Sequence, residues 1–273
     1  MNLHAKLHVL LLASFGFAGI ASAATFSLNP TADAFVSSNT ALNALGTATI
    51  SNSNYGAAGA IGAAAAGLPK GEFDSLLKFD LSSAKASFDA TFGAGLWAIN
   101  SMSLQLTLAS PGNAIFNGNG AGAGGTNINF AGSFAMKWMQ NDSWVEGAGT
   151  PSAPTLATGS GSGITFSALP SFLSGPDELL GSFSYAGATS GNITLSLGLT
   201  PSFVADATAG NNVSLLILPN DTGVALLANS ITAAVANRPL LTVGAIPEPC
   251  AAALAIVGAL GCLAQRRRHA RKA

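Results

Sequence analysis

Met102, Leu104, Leu106 and Leu108 alternate with Ser101, Ser103, Gln105 and Thr107. An extended chain here has one apolar and one polar side, the period-2 pattern of a half-buried strand. Ile193, Leu195, Leu197 and Leu199 repeat it against Thr194, Ser196, Gly198 and Thr200. A third run puts Ile128, Phe130, Phe134, Met136 and Trp138 on one face. Shorter strands are expected at 26–28, 34–36, 47–50, 76–81, 213–218 and 240–243. Clusters of Gly, Asn, Pro and Ser separate them, as turns require. No long segment has the 3.6-residue period of an amphipathic helix; 178–180 or 63–66 would give at most one turn. Strands with one wet face must pair their apolar faces, so the pattern predicts an all-β domain, an antiparallel β-sandwich.

The two ends differ from this body. Residues 7–20 are apolar after Lys6, and Ala21-Ser22-Ala23 has the small-residue form of a signal-peptide cleavage site, with Ala21 and Ala23 at the key positions. At the other end, Pro247-Glu248-Pro249 precedes fifteen uncharged residues, 250–264, and then Arg266, Arg267, Arg268, Arg271 and Lys272. Fifteen residues make a helix of about 22 Å, a short transmembrane helix that spans with local thinning or snorkelling. The basic cluster stays cytoplasmic and stops transfer. The prolines favour an extended hinge outside the membrane. The expected domains are a signal peptide (1–23), an exported β domain (24–245) and a C-terminal tail (246–273).

Removing the ends changes the composition. Residues 24–245 hold five cations against eleven carboxylates, a formal charge of −6. So few cations leave little to neutralise phosphates, and no nucleic-acid partner is expected. Every histidine (His4, His8, His269) and both cysteines (Cys250, Cys262) lie in the ends. The body therefore lacks the imidazole or thiolate of a Ser-His-Asp or Cys-His system and of a His/Cys zinc site. It is expected to be no enzyme and to hold no disulfide.

The ordered tail resembles the PEP-CTERM sorting signal of Gram-negative bacteria. That resemblance implies an exosortase as partner, transient residence in the inner membrane, and delivery to the outer cell surface or beyond, while the N-terminal segment calls for signal peptidase. The body resembles a second family, the DNRLRE-type, disaggregatase-related jelly roll. Residues 30–36, 76–81, 101–108, 142–146 and 237–243 carry that likeness, with 57–66 and 118–125 as loop insertions. It implies a jelly-roll-like sandwich akin to carbohydrate-binding modules.

Candidate chemistry in the body is sparse. Residues 120–125 satisfy G-x-G-x-x-G, but a strand-like run follows where a dinucleotide site needs a helix. Trp138 and Trp144 flank a turn at Gln140-Asn141-Asp142. The rings can stack on sugars with Asn141 and Asp142 bonding hydroxyls; alternatively Trp138 is core and Trp144 covers a sandwich edge. Asp33, Asp80 and Asp206 are oxygen donors for a structural Ca²⁺ if they converge, and solvated turn residues if they do not. For a glycosidase, Glu72, Glu146 or Glu178 would have to pair with an aspartate at a set separation. No other cofactor and no catalytic residue are expected. The sequence thus points to an exported surface or matrix protein, structural or adhesive in an exopolysaccharide matrix, with a carbohydrate-binding module as the alternative and a polysaccharide hydrolase as a third.

Overall fold

The computed structural model describes residues 23–68, 71–109, 130–156, 163–173 and 175–248. Ala21, Pro249, the expected helix 250–264, the basic cluster from Arg266 to Lys272 and the Gly-rich run 120–125 lie outside them. Among the described residues no helix is long and apolar enough to cross a membrane.

The protein is mostly antiparallel β-sheet. One sheet has four strands in the order β1 (Ala24–Leu28), β13 (Leu240–Pro247), β6 (Trp97–Thr107) and β10 (Asn192–Ser196). The second runs β12 (Ala225–Asn229), β4 (Ala60–Ala64), β5 (Phe73–Asp80), β11 (Asn212–Pro219), β7 (Gly132–Met139) and β9 (Glu178–Tyr185), with β2 (Ala32–Ser37) also paired to β5. A two-residue ladder joins β3 (Ser53–Asn54) to β8 (Thr155–Leu156).

Apolar side chains of both sheets meet in one core, giving a sandwich-like packing. Met102, Leu104 and Leu106 from β6 and Leu241 and Val243 from β13 meet Leu77 and Phe79 from β5, Leu215 and Ile217 from β11, and Met136 and Trp138 from β7. The alternation over 101–108 therefore marks a strand whose odd positions are wetter.

Two bulges hide the rest of the pattern. In the β6–β13 ladder Gly244 faces Ser101 but Ala245 faces Ile99, so Asn100 is an extra residue on β6. The inward positions change parity across it, from Trp97 and Ile99 to Met102 and Leu104. In the β7–β9 ladder Met136 faces Gly181 and Lys137 faces Leu179, leaving Leu180 extra. Leu180 is buried, as is Tyr185 at the opposite parity.

The second sheet is buried on both faces at its centre. Ala34, Val36, Leu76 and Leu216 point away from the main core into a smaller one, closed by Met139, Trp144, Ile164 and Leu169. Hence β2, β5 and β11 contain unbroken buried runs, as strands covered on two sides do.

Two helices connect the sheets and were not expected. Helix α1 (Ser82–Phe92) links β5 to β6, and only Ala84 and Phe88 of it are buried. The four-residue α2 (Leu169–Phe172) lies in the cover of the second sheet. Helix α3 (Pro201–Ala209) links β10 to β11, starts on a proline and ends at Gly210 in the left-handed region, with φ 74°. Other expectations also change. Residues 63–64 end β4 and 178–180 open β9, so neither makes a helical turn, and part of the 57–66 insertion is a strand. Residues 50–52 form a 3-10 turn rather than the end of a strand over 47–50. Phe130 and Leu199 are each 39% exposed and fall outside the strands.

Candidate functional site

The turn after β7 was the candidate sugar contact, and its tryptophans are not surface platforms. Trp138 faces the main core at 3% exposure, and Trp144 is 1% exposed in the smaller core. Trp144 lies on the outer side of the second sheet, where Ser214 of β11 is paired with Lys78 of β5. Its indole Nε1 donates to Ser214 Oγ at 2.8 Å. Lys78 Nζ sits 4.4 Å from the ring centroid and donates to the Trp144 carbonyl at 2.6 Å. One lysine thus binds both the face of the ring and the backbone that carries it.

Asn141 shapes the turn, its Oδ1 accepting from Ser143 N at 2.9 Å and Ser143 Oγ at 2.6 Å. Asp142 is half-buried, and burial raises its carboxyl above the usual range, opposed by Ser214 and the Lys78 charge. Burial in turn lowers the Lys78 amine, opposed by Asp142. Asp142, Lys78, Trp144 and Ser214 therefore form one cluster that fixes the cover onto the sheet. It buries the Trp144 ring, and the main core buries that of Trp138.

The three aspartates weighed for calcium are placed apart in role. Asp33 on β2 is 1% exposed, and its Oδ2 accepts the Ile231 amide. Burial pushes its carboxyl up to about 7, against the Ile231 bond and together with the charge of Glu146. Asp80 ends β5 and accepts the Ser82 amide at the start of α1 at 2.9 Å. Asp206 on α3 accepts from Asn211 Nδ2 at 2.8 Å. Among the described residues no three acids, histidines or cysteines gather into a group that can hold a metal.

Of the three glutamates, Glu178 and Glu146 are structural partners as well. Glu178 of β9 reaches the start of α3, with Oε1 accepting from Ser202 N at 3.2 Å and Oε2 from Phe203 N at 3.0 Å and from the Thr200 hydroxyl. It supplies from another strand the cap that the helix lacks locally. Burial acts to raise its carboxyl, but these donors outweigh it and hold it below the usual range. Burial raises Glu146, opposed by the backbone amide of Asp33. Glu146 thereby occupies a donor on β2, a strand at the margin of the sheet.

Asn54, whose side chain joins several distant segments, was not singled out from the sequence. It is fully buried. Its Nδ2 donates to the carbonyls of Glu146 at 2.7 Å and Ile164 at 2.9 Å. Its Oδ1 accepts from Gly56 N and Gly149 N, both at 3.2 Å, and from Thr155 Oγ1 at 3.4 Å. A Cβ at Gly149 would collide with the Asn54 carbonyl oxygen. The Glu146-Gly147-Ala148-Gly149 run is glycine-rich because the chain must approach Asn54 this closely.

The C-terminal motif begins inside the sheet. Ile246 pairs with Ala98 and Pro247 with Trp97 at the end of β13, and the Glu248 amide donates to the Leu96 carbonyl at 2.9 Å. The expected hinge is thus extended but already laddered. At the other terminus, Ala23 directly precedes β1, and Ala24 pairs with Ala245. No known protein-family model matches the chain, and no curated protein is significantly similar to it.

Proposed function

We propose that the chain is an exported, exosortase-processed surface protein of a Gram-negative bacterium, with a non-enzymatic jelly-roll body that serves as a structural or adhesive part of an exopolysaccharide matrix. The signal peptide is removed after Ala23, the tail is read at Pro247-Glu248-Pro249, and the body leaves the inner membrane for the cell surface or the medium.

The observation that carries this reading is the position of Pro247, which ends the last strand, and of Glu248, whose amide continues the pairing to Leu96 two residues before the apolar run starts at Cys250. The strand order supports a jelly roll. In chain order, β1, β5, β6, β7, β9, β10, β11 and β13 form eight strands, arranged first-last-third-sixth in one sheet and second-seventh-fourth-fifth in the other. Strands β2, β3, β4, β8 and β12 are additions to that winding. A non-enzymatic body is supported by the use of Asp33, Asp80, Glu178 and Asp221 as acceptors for backbone amides.

Fractionation of cells carrying Glu248→Ala tests the sorting role. The variant is expected as a longer, membrane-retained form, and release equal to wild type rejects sorting by this motif. The jelly-roll winding also favours a second reading, a carbohydrate-binding module, whose contact surface would have to be other than Trp144. A glycan array with residues 24–245 decides between the two, and an absence of binding leaves the structural role.

A further inference from the structure

We propose that the fold holds its own sorting motif shut, so that the end of β13 must peel from β6 before the motif can be cut. The proposal rests on the sorting reading above and adds a control step to it. A peptidase that takes up its substrate as an added strand bonds the N–H and C=O groups of that segment, and groups already spent in a ladder are not free for it. Here the segment is paired already. Ile246 faces Ala98, Pro247 faces Trp97, and Glu248 N–H is spent on the Leu96 carbonyl.

The dock beneath the motif is rigid. Trp97 is 4% exposed, its indole Nε1 donates to Asp89 Oδ1 at 2.8 Å, and its ring lies 5.1 Å from that of Phe88. Helix α1 therefore fixes the strand on which the motif lies.

The same segment is the part of β13 best placed to open. The ladder with β1 stops at Ala24 and Ala245, so beyond it, among the described residues, β13 is laddered to β6. The bulge at Asn100 interrupts the ladder between Gly244 and Ala245, just before the paired end at Ile246 and Pro247. Pro247 has no N–H to give to a ladder, and Ile246 is 38% exposed. Peeling from Ile246 onward breaks few bonds and leaves Leu241, Val243 and Ala245 in the core.

The test is pulse–chase of the full chain in its own host, following conversion of the long to the short form. Inserting Gly-Ser-Gly-Ser between Ala245 and Ile246 lets the inserted residues take the place on β6, and is expected to shorten the half-time by about tenfold, the factor that one or two net hydrogen bonds represent. The converse variant is Ala98→Cys with Ile246→Cys, in a chain with Cys250→Ala and Cys262→Ala, which locks two facing positions. It is expected to stay uncut until reduced. An insertion variant no faster than wild type, or a locked variant cut as fast while oxidised, overturns the gate if Glu248→Ala remains uncut, and leaves sorting standing. Processing of Glu248→Ala at the wild-type rate overturns the sorting reading, and the gate with it.

Discussion

Ala24 stands opposite Ala245 across the β1–β13 ladder, so the first residue of the first strand and the end of the last strand lie side by side. Ala23 and the described part of the expected motif, Pro247 and Glu248, therefore lie at one end of the four-stranded sheet. A chain held in a membrane by both its ends would present this end of the body to the bilayer.

The same pairing predicts what β1 contributes. Phe26 and Leu28 pack against the main core, and β1 covers one edge of β13. Deleting 24–28 should cost on the order of 2–3 kcal/mol from lost burial of these two partly buried side chains and leave β13 as an open edge. Urea unfolding of residues 24–245 with and without the deletion measures the first effect, and light scattering of the shortened protein the second.

Trp144 should matter for stability and not for display. Trp144→Ala removes a buried indole, its bond to Ser214 and its contact with Lys78, and is expected to destabilise by about 3–5 kcal/mol. Trp144→Phe keeps an aromatic ring and loses the bond to Ser214, which retains Asp142 as a partner, for a smaller loss of about 0.5–1.5 kcal/mol. Chemical denaturation of the two variants should rank them in that order.

Asn54→Ala should free the cover of the second sheet without unfolding the sandwich core. It deprives the Glu146 and Ile164 carbonyls of their donor and the Gly56 and Gly149 amides of their acceptor. Buried groups left unpaired cost about 1–3 kcal/mol each, and the network couples them. Limited proteolysis should then cut first within 140–173, well before the strands of the main core.

What was legible depended on whether neighbours in sequence decide a residue's fate. The alternation over 101–108 could be read because that half of β6 has one face on the core. Residues 97–100 of the same strand could not, since the bulge at Asn100 inverts the parity, and Leu180 does the same in β9. Strand β4, Ala-Ile-Gly-Ala-Ala, has too few large side chains to show a period. Helix α1 buries only Ala84 and Phe88, a stripe too narrow for the 3.6 period to stand out. Helix α3 did carry a signal, with Pro201 at its start and Gly210 just past its end. Trp144 was read as possible surface because its burial comes from Ile164 and Leu169, some 20 residues further along the chain. Glu178 finds its partners at a similar separation and Asp33 and Asn54 find theirs much further off, so their roles as caps and clasps could not be read from spacing.

Stability should peak in mild acid. Asp33 and Asp74 are buried, and burial is the first cause that raises their carboxyls from 3.8 to about 7 and about 8 respectively. The folded state then holds protons that the unfolded chain has released, so these two groups favour folding fully below pH 3.8. Their contribution fades as pH rises from there through about 7 for Asp33 and about 8 for Asp74. Asp80, Asp89, Asp221 and Glu178 act oppositely, because their carboxyls are held low in the fold. Their contribution is present above the ordinary carboxylate range and is lost as pH falls through it. The two sets together place the maximum at about pH 4–6. Asp33→Asn keeps an acceptor for the Ile231 amide while removing the charge, so it should flatten the decline up to neutral pH. Asp74→Asn should flatten the part that extends to about pH 8. Urea midpoints of wild type and both variants from pH 4 to pH 9 check this, and a wild-type midpoint that rises toward pH 8 overturns the assignment.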